Sequence, residues 1–288
     1  MQPTDIRNPD YFHKVVDCQW ACPAHTPVPE YIRLIAAGRY DDAYLLNWES
    51  NVFPGILGRT CDRPCEPACR RGRVEENNGG KPEPVAICRL KRVTADFKSD
   101  IRARLPKRGA PNGLRIACVG AGPASLAVAR DLAPLGYAIT VFDADPKAGG
   151  FMRTQVPRFR LPESGIDEET SYILDLGVQF VGGRRIDSLK GLLSEGYDAV
   201  FIGCGAQRGR DLDLPGRVEA AANIHIGIDW LASVSFGHVK EIGRRVIVLG
   251  GGNTAMDCCR SARRLGGEDV KVIVRSGFEE MKASPWEK

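Results

Sequence analysis

LRIACVGAGPASLAVARDLAPLGYAITVFDAD, residues 114 to 145, reads as strand, glycine turn, helix and strand. Its first apolar run ends at Gly120 and Gly122. In such a G-x-G pair the chain turns tightly and lets its backbone approach a pyrophosphate. Pro123 and Ala124 open the helix that follows. Ser125 fills the third fingerprint position, usually Gly or Ala, and is small enough for close helix–strand packing. Asp143 stands 23 residues after Gly120, at the end of the second strand, where a carboxylate binds ribose hydroxyls. With strands on both sides and the acid in place, the stretch is expected to bind a dinucleotide.

A second unit repeats the pattern. RRVIVLGGGNTAMDCCRSARRLGGEDVKVIVRS, residues 244 to 276, places Gly250, Gly252 and Ala255 in G-x-G-x-x-A between an apolar strand and a helix. Arg275 ends the next strand 25 residues after Gly250, where an acid would otherwise sit. An arginine there suits a 2′-phosphate better than a free hydroxyl, unless it is merely exposed at a strand end. Two such folds in one chain suggest one flavin and one nicotinamide.

Working toward the N-terminus, LPKRGAPNG at residues 105 to 113 reads as a linker. The pattern before it is helical. VPEYIRLIAAG offers Pro29 at a helix start, an apolar face through Ile32 and Ile35, and Gly38 as a stop. Six of the ten cysteines (Cys18, Cys22, Cys61, Cys65, Cys69 and Cys88) fall in these first 88 residues, in the turns between helices. Cys18 and Cys22 form C-x3-C-P, the tail of an iron–sulfur run, yet no cysteine precedes them. Zinc also takes thiolates at such spacings. Disulfides do not suit a chain of this kind. Cys258 and Cys259 read as helix–sheet packing residues, and Cys118 and Cys204 as strand core.

The remaining composition sets bounds. A chain of 288 residues holds about two domains, and 26% charged with 43% hydrophobic residues is ordinary for a soluble protein. No apolar run is long enough to span a membrane and the polar start is no signal peptide, so a cytoplasmic location is expected. The net charge of +4 gives no argument for nucleic acid. Residues 70 to 108 nevertheless carry twelve Lys or Arg against five Asp or Glu. That excess is either a solvated face or a surround for something negative, such as a cluster or an acidic redox partner.

The motifs CQWACPAHTPVPEYI, NVFPGILGRTCDRPCEPACRRG, PVAICRLKR, GAGPASLA, GGFMRTQVPRFRLP, DAVFIGCGA, GGGNTAMD and MKASPWE run in order along nearly the whole chain. By them the chain resembles the small subunit of glutamate synthase and its relatives, including the N-terminal half of dihydropyrimidine dehydrogenase. The resemblance implies a helical domain with 4Fe-4S clusters over residues 1–110, the first part of an FAD-binding Rossmann-like fold over 111–225, and an inserted, incomplete NAD(P)-binding fold over 226–288. The rest of that fold, and the return to the FAD domain, are expected from a longer chain or another polypeptide. Electrons would pass between NAD(P)H, FAD and clusters, to or from a partner subunit or a ferredoxin-like protein. A true glutamate synthase small subunit, or a scaffold that conducts electrons without binding nicotinamide, are the alternatives.

Laid on the family's first ligand run, C-x2-C-x4-C-x3-C-P, Cys22 takes the last place and Cys18 the third, while the first two fall on Asp10 and His13. The family's remaining ligand, a Gln or similar residue, falls on Lys91, a poor ligand while protonated. Cys88 lies one turn before it on the same face. The resemblance thus implies one full site of Cys22, Cys61, Cys65 and Cys88. Cys18 and Cys69 would serve a second, completed by Asp10 and His13 or by a partner chain. It further puts Gly149, Gly150, Arg158 and Arg160 near the flavin, and Asn253 and Thr254 near the nicotinamide cofactor's pyrophosphate. Where the family has a second Arg after Arg275, this chain has Ser276. Hydride transfer by positioning alone needs no general acid or base, and none is assigned.

Overall fold

The computed structural model describes residues 16–73, 82–213 and 215–288. The chain divides into two compact units, Met1–Pro106 and Lys107–Lys288.

Helices build the first unit. The short α1 (Asp17–Ala21) is followed by α2 (Val28–Ala36), which carries Pro29 in its first turn. Proline suits that position because its missing N–H is one that a helix leaves unpaired anyway. At the far end Gly38 N–H donates to the Ile35 carbonyl and Arg39 N–H to the Leu34 carbonyl, both at 2.9 Å. This pair of bonds satisfies carbonyls that the helix itself cannot. α3 (Tyr40–Asn51) starts at once, with Asp41 and Asp42 at its positive end. α4 (Pro54–Thr60) and α5 (Ile87–Phe97) complete the set. Val28, Tyr31, Ala43 and Ile87 form the shared core together with buried Cys65, Cys69 and Cys88, and Cys18 and Cys61 pack at its edge.

The second unit is α/β. β1 (Arg115–Val119), α6 (Pro123–Leu132) and β2 (Ala138–Phe142) make the first crossover. α7 (Phe151–Thr154), α8 (Glu163–Leu174), β3 (Gln179–Val181), α9 (Leu189–Ser194) and β4 (Ala199–Ile202) follow. The strands are parallel in the order β3-β2-β1-β4. β1 therefore sits where the strand order reverses, and ligands of such sheets bind beyond the strand ends at that point. Ile116, Ala117 and Cys118 of β1 and Ile139, Val141 and Phe142 of β2 are buried, as expected of parallel strands covered on both faces.

Farther on, α10 (Gly227–Ser235), β5 (Arg245–Leu249), α11 (Asn253–Arg264) and β6 (Asp269–Ile273) form a second crossover with two parallel strands. Val246, Val248 and Val270 pack against Trp230 and Leu231 of α10 and Cys258 and Ala262 of α11. Ile247, Leu249 and Ile273 are exposed. Cys258 is the packing residue its sequence suggested, and its thiol donates to the Gly227 carbonyl at 3.7 Å. Cys204 is not core: it follows β4 instead of lying in it, and it is exposed. No helix among the described residues is long and apolar enough to cross a membrane.

Candidate cluster and dinucleotide sites

The cysteines of the helical unit arrive from turns and helix ends. Cys22 and Cys61 each follow directly after a helix, α1 and α4, in extended conformation, and Cys88 lies in the first turn of α5. Cys88 lies near both Cys61 and Cys65. Hydrogen bonding to Cys88 raises the Cys61 thiol well above its ordinary range, and burial adds to the rise. At Cys88 the bond from Cys61 pulls down, but the bond to Cys65 and burial push up, leaving the thiol at about 12.

Tyr31 sits at the centre. Its hydroxyl donates to the Ile87 carbonyl at 3.0 Å. Burial raises its phenol strongly, and nearby Cys65, Cys88, Cys18 and Cys22 add to the rise. Cys22 is held by Thr26, with Sγ and Oγ1 3.3 Å apart, and Thr26 in turn accepts from Asn51. Cys18 is raised by burial first and also by Cys69. Cys61, Cys65 and Cys88 lie together, Cys18 is near Cys69, and Cys18 and Cys22 are both near Tyr31. Asp10 and His13 lie outside the described residues.

This donor set fits a 4Fe-4S cluster, which takes four thiolates. Among the described residues no three His, Cys, Asp or Glu side chains are spaced to grip a single metal ion. Lys91, only 3% exposed, faces the set and pulls the thiols of Cys61 and Cys88 down. Sequence reasoning missed Tyr31 and Glu66, whose Oε1 accepts from Cys88 N–H at 3.0 Å.

The basic stretch is paired in part. Arg70 meets Asp17 at 3.0 Å, Arg92 meets Asp96 at 2.9 Å, and Arg104 meets Asp42. Asp17 and Asp42 come from outside the stretch, so part of the charge excess counted along the chain is offset in space.

In the first glycine turn, Gly120 has φ +94°, and a Cβ there would lie 2.5 Å from the Gly203 carbonyl oxygen. Gly122 is different: the atoms nearest its Cβ position are 3.9 Å away or farther. The protein leaves that space to something else. Asp143, expected to face ribose, accepts from Ala121 N–H at 2.5 Å and from Asp145 N–H at 2.9 Å. It therefore shapes the turn, with lone pairs left over for hydroxyl donors. Ser125 is fully buried, and its hydroxyl has no partner.

Gly149 N–H donates to the Ala121 carbonyl at 2.8 Å, which ties the two glycine loops together. The Gly150 Cβ position would come within 2.7 Å of Gly122 Cα. Arg153, which the sequence did not single out, locks this corner. Its guanidinium donates to the Ala148 carbonyl and Glu163 at 2.8 Å each and to Asp167 at 2.5 Å. Arg158 is close by, and its Nη1 is buried without a hydrogen-bond partner. An orphaned cationic nitrogen beside an open glycine turn fits an anionic cofactor.

Arg160 has protein partners. It pairs with Asp257 of α11 at 2.5 Å and with Glu287 at 2.7 Å, so it joins its loop to the second crossover. In the second turn Gly250 has φ +134°, and no atom lies within 4 Å of a Cβ at Gly252. Asn253 gives its side chain to Ser284, donating to Oγ at 3.0 Å and accepting from N–H at 2.8 Å. Only its backbone remains for a pyrophosphate. Thr254 and Arg275 are exposed, Arg275 two residues past β6.

Residues 12–102 match the family described as dihydropyrimidine dehydrogenase domain II, 4Fe-4S cluster, and residues 114–282 match pyridine nucleotide-disulphide oxidoreductase. The NADPH-Fe(3+) oxidoreductase subunit beta of Geobacter sulfurreducens is 34% identical, over 99% of this chain and 43% of its own length. The NADP(+)-dependent formate dehydrogenase subunit beta of Moorella thermoacetica is 35% identical, over 92% of this chain and 40% of its own. For the glutamate synthase [NADPH] small chain of Azospirillum brasilense the figures are 33%, 93% and 57%. The chain thus spans about half the length of these relatives. Among solved structures, a histidine-to-glutamine variant of FprA from Mycobacterium tuberculosis superposes with a TM-score of 0.52 at 25% identity, over 60% of this chain and 46% of that one. A helical iron–sulfur domain precedes a Rossmann-like reductase fold, and the chain belongs to the pyridine nucleotide-disulphide oxidoreductase family.

Proposed function

We propose that the chain is the electron-transfer part of an NAD(P)H-dependent flavin and iron–sulfur oxidoreductase, exchanging electrons with a partner subunit or a ferredoxin-like protein. The observation that carries this is the joining, in one polypeptide, of a converging thiol set to two glycine turns whose second glycines face open space. The three relatives named above differ in what their names say they act on, but all are named as subunits or chains that use NADPH or NADP(+). The part they share with this chain is therefore read as the nicotinamide-to-cluster module.

In this reading residues 111–225 bind FAD, with Gly120, Gly122 and the amides of Ala124 and Ser125 at the pyrophosphate. Asp143 and Arg158 complete that site. Residues 226–288 bind the nicotinamide cofactor, with Gly250, Gly252, the Asn253 and Thr254 backbone, and Arg275 at a 2′-phosphate. Cys22, Cys61, Cys65 and Cys88 hold one cluster, and Cys18 and Cys69 belong to a second. Bound FAD would supply the chemistry that turns a two-electron donor into single electrons. The chain's own work is to hold the rings and exclude water: Arg153 fixes the Gly149–Gly150 corner, and Arg160 with Asp257 and Glu287 anchors the second crossover against it.

Anaerobic purification of the full chain, with iron, sulfide and flavin counted, tests this. About four iron and four sulfide or more per chain are expected for a 4Fe-4S protein, with one flavin. A chain that binds zinc in place of iron, or takes up no flavin, would contradict it.

A further inference from the structure

Lys91 is a charged group in an unusual place. It lies on α5, three residues after Cys88 and so on the same helical face, and is 3% exposed. A buried ammonium normally either loses its proton or finds a carboxylate, since an unpaired charge away from water is costly. No carboxylate is within ion-pair distance of Lys91 among the described residues. The acids nearest in the fold are engaged elsewhere: Glu66 accepts from Cys88 N–H and pairs with Arg63, and Asp96 pairs with Arg59 and Arg92. The neighbour of Lys91 one helical turn back on the same face is Cys88, also buried.

We propose that Lys91 is the counter-charge of the cluster held by Cys22, Cys61, Cys65 and Cys88, favouring its reduced form. This rests on the cluster reading above. Four thiolates outweigh the positive charge of an oxidised cube, and each added electron makes the assembly more negative. A fixed ammonium inside the same core therefore stabilises the reduced state more than the oxidised one, and net charge is among the factors that set cluster potentials. A lysine serves better here than a surface arginine, because burial removes the water that would screen it. The position is also well built for it: Thr94 Oγ1 donates to the Lys91 carbonyl at 2.7 Å, and both residues are buried. Lys91 is thus a tuning residue that need not bind iron.

The test is a redox titration followed by EPR on the full anaerobic chain, comparing wild type with Lys91→Met and Lys91→Arg, iron and sulfide being counted in each. Lys91→Met keeps the length of the side chain and removes the charge. It is expected to retain its iron and sulfide while the one-electron reduction constant falls tenfold or more, a drop of about 59 mV in midpoint. Lys91→Arg is expected to stay near wild type. Should Lys91→Met fail to fold, Lys91→Gln decides by the same measure. An unchanged midpoint in the uncharged variant overturns the proposal and leaves the cluster reading intact. Loss of the cluster in both the uncharged and the Arg variant also overturns it, making Lys91 an amine ligand. A wild-type chain without iron removes the cluster reading, and this proposal falls with it.

Discussion

The carboxylate of Asp143, at the end of β2, accepts a 2.5 Å hydrogen bond from the backbone N–H of Ala121 in the turn between β1 and α6. One side chain thereby couples the acid of the dinucleotide fingerprint to its glycines. Asp143→Asn should cost about 1–3 kcal/mol, because one acceptor is replaced by an amide donor facing N–H groups. Flavin content should fall in parallel. Thermal unfolding of the flavin-free variant checks the first claim, and flavin absorbance per chain the second. Unchanged stability with lost flavin would mean that Asp143 acts on ribose alone.

Gly120 and Gly122 should respond differently to alanine. Gly120→Ala meets both a positive φ and the Gly203 carbonyl, so the chain should express poorly or unfold early. Gly122→Ala finds space within the protein and should keep its stability. What it should lose is flavin, because the new methyl group occupies the room left for the pyrophosphate. Circular dichroism and flavin content on the two variants separate these outcomes, and a flavin-replete Gly122→Ala would refute the assignment.

Much of this was legible in the sequence because it is local. The β1–α6–β2 unit, the Schellman-type end at Gly38 and the cysteine-rich helical region each follow from residues a few positions apart. Long-range pairs left no local trace. Arg160 and Asp257 are 97 residues apart, and Asn253 and Ser284 are 31 apart. The resemblance put Arg160 near the flavin and Asn253 near the pyrophosphate, with no sign of these pairings. Nothing local marked Tyr31, which the fold brings near Cys18, Cys22, Cys65 and Cys88. The basic count over residues 70–108 likewise gave no sign that Asp17 and Asp42 arrive from outside the stretch.

A pH effect follows from Asp41 and Ser99. Ser99 Oγ and N–H donate to the two Asp41 oxygens at 2.6 and 2.7 Å, and these bonds hold the carboxyl below its ordinary value of 3.8. A depressed carboxylate adds stability above its unfolded pKa and loses it as pH falls through the folded one. The contribution is therefore present at neutral pH and disappears only below about 3.8. In Ser99→Ala the Asp41 titration, followed by the carboxyl chemical shift, should move up toward the ordinary value. No movement would show that Ser99 does not set it.

Arg275 is exposed and lies past β6, and the proposed reading puts it at the 2′-phosphate. A charge-assisted hydrogen bond is worth roughly 1.5–3 kcal/mol, or about 10- to 100-fold in affinity. Arg275→Ser should raise the KM for NADPH by that order and leave NADH nearly unchanged. Equal losses for both cofactors would remove the phosphate contact from the account.

The central claim is that nicotinamide, flavin and cluster communicate within this chain. The direct measurement mixes NADPH anaerobically with the flavin- and iron-loaded full chain, recording flavin absorbance and then EPR of the frozen mixture. The account predicts that the flavin band bleaches and that a reduced-cluster signal appears in the same sample. If dithionite bleaches the flavin but NADPH leaves it oxidised, the chain is an electron conduit that does not use nicotinamide, and the account is contradicted.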